Sequence, residues 1–239
     1  MILAGKVLVD DVPVDKAGTR VRPDAAVRLR GALRRYVSRG GDKLAGALED
    51  LALDPVGLCC LDVGASTGGF TDCLLQHGAK HVVAVDVGYG QLHPKLREDS
   101  RVRVHERTNA RALGQEHVGG TIDLVVIDAS FISLRQLLPP VLAVAPQATV
   151  VALVKPQFEV GRDQVGKGGV VRDDALREGA ADDVASAAAV LGYRCVGRSD
   201  SRLAGPRGNR EIFLQLVPPS ADPSPGDRAP EGGHEAGGA

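Results

Sequence analysis

The chain has no tryptophan, one methionine and an aromatic content of only 3% over 239 residues. It has four cysteines, Cys59, Cys60, Cys73 and Cys195, and no C-x-x-C pair. That spacing argues against a structural zinc site or a disulfide framework and reads as reduced thiols, two of them side by side in an apolar run. No apolar run approaches the roughly 20 residues a membrane-spanning helix needs. The opening Met-Ile-Leu-Ala-Gly-Lys lacks the basic-then-apolar layout of a signal peptide. No amphipathic or apolar segment suits membrane lysis. These absences together read as a cytoplasmic protein. The fingerprint G-x-G-x-x-G is also missing, which disfavours a nicotinamide dehydrogenase.

Net charge is nearly absent as well, at −1, but its distribution is uneven. Between positions 20 and 43 lie eight basic residues, Arg20, Arg22, Arg28, Arg30, Arg34, Arg35, Arg39 and Lys43, against two acids, Asp24 and Asp42. Such a block suits a polyanion, nucleic acid above all, although a solvated charged face has the same signature. Beyond Val217, proline, glycine, serine and acids dominate, and residues 218–239 read as a disordered tail.

The most informative stretch runs from Leu58 to Phe70. An apolar run, 58–63, enters a small-residue turn and then a helical pattern, 70–76. Strand, glycine turn and helix in that order make a nucleotide-type cofactor site, because glycine admits close approach and the helix N-terminus supplies N–H donors. The spacing is Gly64-x-x-x-Gly68-Gly69 with Asp62 before it, and Ala65, Ser66 and Thr67 inside the turn. This looser form suits S-adenosylmethionine, which has no pyrophosphate to cradle. A bare glycine turn is equally compatible with plain strand–helix packing. The balance shifts at Asp86, 22 residues past Gly64, where the next strand ends at Asp86-Val87 and a carboxylate can accept both ribose hydroxyls.

Further on, strands and helices alternate. Strands are expected at 59–63, 82–87, 102–106, 124–128 and 150–154, with helical or loop segments at 70–76, 94–99, 134–145 and 173–191. Several of the strands are continuous apolar runs, as in a parallel sheet covered on both faces. Two last strands, 194–198 and 211–217, are expected to close the sheet as an antiparallel hairpin. The fold class is therefore α/β of the Rossmann type, seven strands, mostly parallel. Ahead of it, residues 1–33 read as a small β-rich piece, with strands near Lys6–Asp10, Val12–Val14 and Gly18–Arg22, and residues 34–37 as a linker to a main domain at 38–217.

In such a sheet, function gathers beyond the strands' carboxyl ends. There stand Asp86, Asn109 as a candidate for an adenine edge, Asp128, and Lys155 directly after Leu153-Val154. An ionised Asp and Lys following apolar runs are costly unless paired or functional, and adjacent strands would bring these two together. A plain structural ion pair at the sheet edge is the alternative.

Seven segments carry a resemblance: Ser38-Arg-Gly-Gly-Asp-Lys-Leu; Leu61-Asp-Val-Gly-Ala-Ser-Thr-Gly-Gly-Phe-Thr-Asp; Val85-Asp-Val-Gly-Tyr-Gly-Gln-Leu; Glu106-Arg-Thr-Asn-Ala-Arg; Asp128-Ala-Ser-Phe-Ile-Ser-Leu; Leu153-Val-Lys-Pro-Gln-Phe-Glu-Val-Gly; and Gly208-Asn-Arg-Glu. Together they resemble the TlyA (haemolysin A) family, which is similar to FtsJ-type RNA 2′-O-methyltransferases. The resemblance implies an S4 RNA-binding module joined to a SAM-dependent methyltransferase domain, acting on cytidine 2′-hydroxyls of ribosomal RNA in both ribosomal subunits; the cysteine spacing and the lack of apolar segments add the expectation of no metal and no membrane partner. Residues 1–33 resemble the second half of that S4 module; the basic helices that normally open it are not in this sequence. The resemblance also implies a Lys-Asp-Lys-Glu tetrad, falling on Lys43, Asp128, Lys155 and Glu211. Asp62, Gly64 to Phe70, Asp86, Val87, Asn109 and Asp128 are the expected cofactor set, and Arg20, Arg22, Arg34, Arg35 and Arg39 the expected RNA contacts.

A ribose hydroxyl attacks a sulfonium methyl only if its proton is removed or the loss stabilised, and a lysine does this only when burial or a neighbouring cation favours the neutral amine. Lys155 is the expected residue at the 2′-oxygen, with Lys43 as neighbouring cation and the two acids orienting the amines. If a base must also be unstacked, Tyr36, Tyr89 and Phe158 are the few stacking candidates, although ordinary core or rim packing is the first reading of each. Two other readings remain: a methyltransferase of this kind acting on a substrate other than rRNA, and an RNA- or ribosome-binding factor without catalysis.

Overall fold

A computed structural model describes Ile2 and residues 5–29, 35–205 and 207–219. Arg30, Arg34 and positions 220–239 of the expected tail lie outside the described residues.

The N-terminal piece is a three-stranded antiparallel sheet in the order β2-β1-β3, with β1 at Val7–Val9, β2 at Val12–Val14 and β3 at Val27–Leu29. Val9 pairs with Val12, so Asp10-Asp11 form a two-residue turn, both at positive φ, as a type I′ hairpin turn requires. The third strand is not at Gly18–Arg22, where the sequence suggested it. Thr19 N–H bonds back to the Lys16 carbonyl and Ala25 N–H to the Arg22 carbonyl, so 16–25 is spent on turns around Pro23, which has no N–H to give a ladder. Asp10 then accepts from Ala26 N–H and anchors the strand that follows.

The main sheet has seven strands in the order β6-β5-β4-β7-β8-β10-β9. They are β4 (Cys59–Val63), β5 (His81–Val85), β6 (Val102–His105), β7 (Leu124–Ile127), β8 (Thr149–Val154), β9 (Arg194–Asp200) and β10 (Ile212–Val217). The first five in that order run parallel; β10 is antiparallel to both β8 and β9. Because the chain goes from β4 outwards to β5 and β6 on one side and to β7 and β8 on the other, the order reverses between β4 and β7. A crevice opens at the carboxyl ends there.

Pleating sends alternate residues to two cores. Leu61, Val63, Val83, Val125 and Ile127 face helices α5 (Leu134–Val144) and α7 (Asp174–Val190). Cys60, Val82, Leu124, Val126 and Phe213 face α1 (Arg39–Asp50) and α2 (Gly69–Gln76), with Leu96 of the short α3 (Pro94–Arg97). The small α4 (Gln115–Val118) and α6 (Pro156–Glu159) complete the connections. Tyr36 is buried in the second core, and Val37 N–H is held by the Asp72 carboxylate. The stretch read as a linker thus packs on the main sheet from Tyr36 onward.

Candidate active site

The glycine turn is shaped from below. Gly64 (φ 89°) and Ala65 both donate to the Val85 carbonyl, and a Cβ on Gly64 would sit 2.7 Å from the Asp128 carbonyl oxygen. No L side chain fits there. Gly69 presses against Ser38 and the first turn of α1, so the N-termini of α1 and α2 converge on one spot. Gly68 (φ 95°) faces Leu92 and Leu96 rather than the crevice, so its role is backbone geometry and packing.

Asp62 lies beneath the turn, fully buried, and lines neither cavity described below. Its Oδ2 accepts from Thr71 Oγ at 2.6 Å, while Oδ1 has no partner among the described residues. Burial lifts its carboxyl to about 7. Direct cofactor contact by Asp62, expected from the sequence, is therefore replaced by support of the turn through Thr71. An unfolded aspartate loses its proton near pH 3.9, whereas the folded one keeps it until about 7, so this group lowers stability as pH rises between those values. Asp62→Asn keeps the Thr71 acceptor and removes the titration. Relative to the native chain it is expected to gain up to about 4 kcal/mol of stability between pH 4 and 7. A stability difference that stays flat across that range in chemical denaturation would remove the buried acid from this role.

Two cavities flank the end of β7. One, about 680 Å³, is lined by residues 64–67, Gly69, Phe70, Lys43, Asp128, Lys155 and Glu211, with Ser38, Arg39 and Gly40 from the start of α1. The other, about 830 Å³, is lined by Gly64, Ser66, Asp86, Val87, Asn109, Arg111 and Asp128. They share Gly64, Ser66, Asp128, Ser130, Phe131, Gln157 and Phe158. Asp86 accepts from Ser66 N–H at 2.8 Å and from Gly88 N–H at 2.6 Å, and each oxygen keeps lone-pair capacity for a ligand. Asn109 uses its carbonyl oxygen to cap the 3₁₀ turn at Ala110–Ala112, leaving its NH₂ as donor. Val87 is exposed on this wall.

Sheet register brings the four residues of the expected tetrad together. Ile212 pairs with Val154, so the next residues along, Glu211 and Lys155, meet at the sheet's end. Ile127 pairs with Ala152, which places Asp128 beside them. Lys43 enters from α1 and makes a buried ion pair with Glu211, which is 1% exposed. Lys155 Nζ lies 2.6 Å from Asp128 Oδ1, off the hydrogen-bonding direction, and donates a directed bond to Ser130 Oγ at 2.8 Å. Burial pushes the Glu211 carboxyl up; the Lys43 hydrogen bond and charge, and then Lys155, act against it. The two pairs therefore feel one another.

Several residues here escaped sequence reasoning. Asn209, buried, accepts from Val171 N–H (2.9 Å) and donates to the Gly169 carbonyl (2.8 Å), tying the loop at 166–171 to the approach to Glu211. Glu159 takes Ser133 Oγ and Leu134 N–H and so fixes the start of α5. Phe131, 90% exposed at positive φ, packs on Phe158 with ring centroids 5.2 Å apart at the rim of both cavities. Tyr89 is exposed under the Arg107 guanidinium, while the burial of Tyr36 removes it from the stacking candidates. Among the expected RNA contacts, Arg39 is exposed and lines the first cavity, and Arg35 is exposed over the Tyr36 ring. Arg20 and Arg22 are exposed in the turn segment before β3, Arg22 paired with Asp10 at 3.0 Å. Among the described residues no cluster of three or more metal-type side chains occurs, and no helix is long and apolar enough to cross a membrane.

Comparison with known proteins converges on one family. The FtsJ-like methyltransferase profile matches residues 36–217. The 16S/23S rRNA (cytidine-2′-O)-methyltransferase TlyA of Mycobacterium tuberculosis is 54% identical over 218 residues, 90% of this chain and 81% of that protein. Hemolysin A of Brachyspira hyodysenteriae is 40% identical, with 91% of each chain covered. A solved structure described as a hemolysin, from Streptococcus thermophilus, superposes with a TM-score of 0.76 at 41% identity, over 91% of this chain and 80% of that one. The chain belongs to the FtsJ-like methyltransferase family, within its TlyA branch.

Proposed function

We propose that the chain transfers a methyl group from S-adenosylmethionine to ribose 2′-hydroxyls of ribosomal RNA, on cytidine, in the cytoplasm. The observation that carries this reading is the convergence of Lys43, Glu211, Lys155 and Asp128 where two cavities meet above the glycine turn. Family membership supports it, as does the name carried by the mycobacterial relative.

The residues fit the cofactor. The turn at 64–67 lines the first cavity, Asp86 presents carboxylate oxygens for ribose on the second, and Asn109 on that same wall keeps its NH₂ as a donor. Bound there, S-adenosylmethionine supplies an electrophilic methyl on a sulfonium sulfur. The chain's part is to bring the hydroxyl into line and to take its proton. Lys155 is the group assigned to meet the 2′-hydroxyl and accept that proton. Asp128 orients Lys155 from one side. Lys43 places a second cation nearby, and Glu211 keeps that cation fixed and the cluster close to neutral. Arg39 and Arg207 on the first cavity, with Arg111 and Arg162 on the second, offer cations to the phosphates flanking the target. Phe131, exposed at the shared rim and packed on Phe158, offers a ring face to an unstacked base.

The test is to map 2′-O-methyl marks on rRNA from cells with and without this chain, and on the same RNA treated with purified protein. Marks on cytidine that vanish with the chain and return in vitro are expected. Unchanged marks in cells, together with no transfer to naked RNA or to either ribosomal subunit, would overturn the substrate assignment.

A further inference from the structure

The tetrad leaves one partner of Lys155 unassigned. Ser130 Oγ lies 2.8 Å from Lys155 Nζ and accepts its directed hydrogen bond, and Ser130 lines both cavities. We infer that Ser130 is a positioning residue for methyl transfer: together with Asp128 it fixes the head of Lys155, so that the remaining direction at nitrogen faces the attacking hydroxyl. The inference rests on the reading of Lys155 as the group that takes the 2′-hydroxyl proton.

A lysine amine ends a flexible four-carbon stem, and nothing in the stem sets the rotation of its head. A neutral amine has two N–H bonds and one lone pair. Asp128 Oδ1 lies 2.6 Å from Nζ but off the hydrogen-bonding direction, so it supplies attraction rather than aim. The directed bond is the one to Ser130. With one hydrogen held by Ser130 and the head drawn toward Asp128, the lone pair is confined to the remaining side. With only Asp128 present, the head can turn about the Cε–Nζ bond and present a hydrogen where the lone pair is needed.

Ser130 can act as an anchor because its backbone is itself anchored. Asp128 N–H bonds to the Val63 carbonyl at 3.0 Å, and the Asp128 carbonyl is seated over Gly64. At the other end Ser133 caps α5 and donates to Glu159 at 2.6 Å. Between them Phe131 is held at φ 65°, a conformation costly for a residue with a Cβ and kept only where the surroundings enforce it. Since Ser130 Oγ accepts from Lys155, its own hydrogen points elsewhere, and among the described residues nothing accepts it.

The experiment compares Ser130→Ala, Ser130→Thr and Lys155→Ala on naked rRNA and on ribosomal subunits, with SAM affinity measured by calorimetry. Ser130 is exposed, so replacement is compatible with folding. Ser130→Ala is expected to lower kcat by roughly 10- to 100-fold, the scale of a misplaced reacting group. SAM affinity and the KM for RNA should stay within about threefold of the native values, because no binding contact is removed. Ser130→Thr, which keeps the hydroxyl, should restore most of the rate. A rate within twofold of native for Ser130→Ala, a loss that threonine does not rescue, or a loss carried by KM or SAM affinity rather than by kcat would overturn the positioning role. If Lys155→Ala is inactive in that case, the reading of Lys155 survives alone; turnover retained by Lys155→Ala would overturn both.

Discussion

Lys155→Ala is expected to lower methyl transfer by at least about 10³-fold, the upper range for removing a positioned proton acceptor, and to leave SAM binding nearly untouched. Lys155 is 8% exposed at the end of β8, and its polar contacts run to Asp128 and Ser130, not to the Asp86 wall of the second cavity. Its removal leaves Asp128 without a counter-ion, but that side chain is 23% exposed and can be hydrated, so the fold should survive. Asp86→Ala should give the opposite pattern. It removes the acceptor for Ser66 and Gly88 N–H groups as well as the ribose contact, and a loss of roughly 10- to 100-fold in SAM affinity follows from one or two hydrogen bonds to a charged group. The two variants therefore separate chemistry from cofactor binding in one pair of assays: turnover by radiolabelled methyl transfer, affinity by calorimetry. Retained turnover in Lys155→Ala, or an unchanged SAM dissociation constant in Asp86→Ala, would strike the residue from its assigned place.

What the sequence made legible was periodicity and punctuation. The parallel strands appear within two residues of where the sequence places them; β5, β7 and β8 are apolar runs because they are covered on both faces, while β6, Val-Arg-Val-His, stands at the sheet edge and is only partly buried. Gly64 was legible since a strand that turns sharply under another backbone excludes a Cβ. The N-terminal sheet was read less well: Gly18–Arg22 and Val27–Leu29 carry equally weak patterns, and the choice was made by Asp10 reaching across to Ala26. Such side-chain clasps have no period. The same holds at the site. Asp128 and Lys155 were visible as charges ending apolar strands, whereas Lys43 and Glu211, 168 positions apart, had only a family resemblance to join them. Ser130, Asn209 and Phe131 were invisible as functional candidates, because a serine, an asparagine and a phenylalanine in loops announce nothing until neighbours are known.

The Lys43–Glu211 pair allows structure and catalysis to be told apart. Both groups are nearly sealed from solvent, Glu211 at 1% exposure and Lys43 at 8%, so neither can be hydrated if the other is lost. Lys43→Met is therefore expected to destabilise the fold by about 3–5 kcal/mol, the usual consequence of stranding a buried charge. For a domain of this size that lowers the melting temperature by roughly 10 °C. Burial already pushes the Glu211 carboxyl upward, with Lys43 the first force against it, so without Lys43 the acid holds its proton to still higher pH. An unfolded glutamate ionises near 4.3, and a folded one with a raised value loses stability as pH climbs above that point, so the variant should lie nearest the native chain at pH 5 and furthest at pH 8. Adding Glu211→Leu removes the stranded acid, and the double variant should recover most of the lost stability at pH 8, because apolar groups of similar size pack where an ion pair stood. Activity should not follow: the double variant regains its fold without the second cation and is expected to remain at least about 10²-fold below native in turnover. Methyl transfer restored along with stability would mean that the pair only holds α1 to β10 and that Lys155 works without a neighbouring charge.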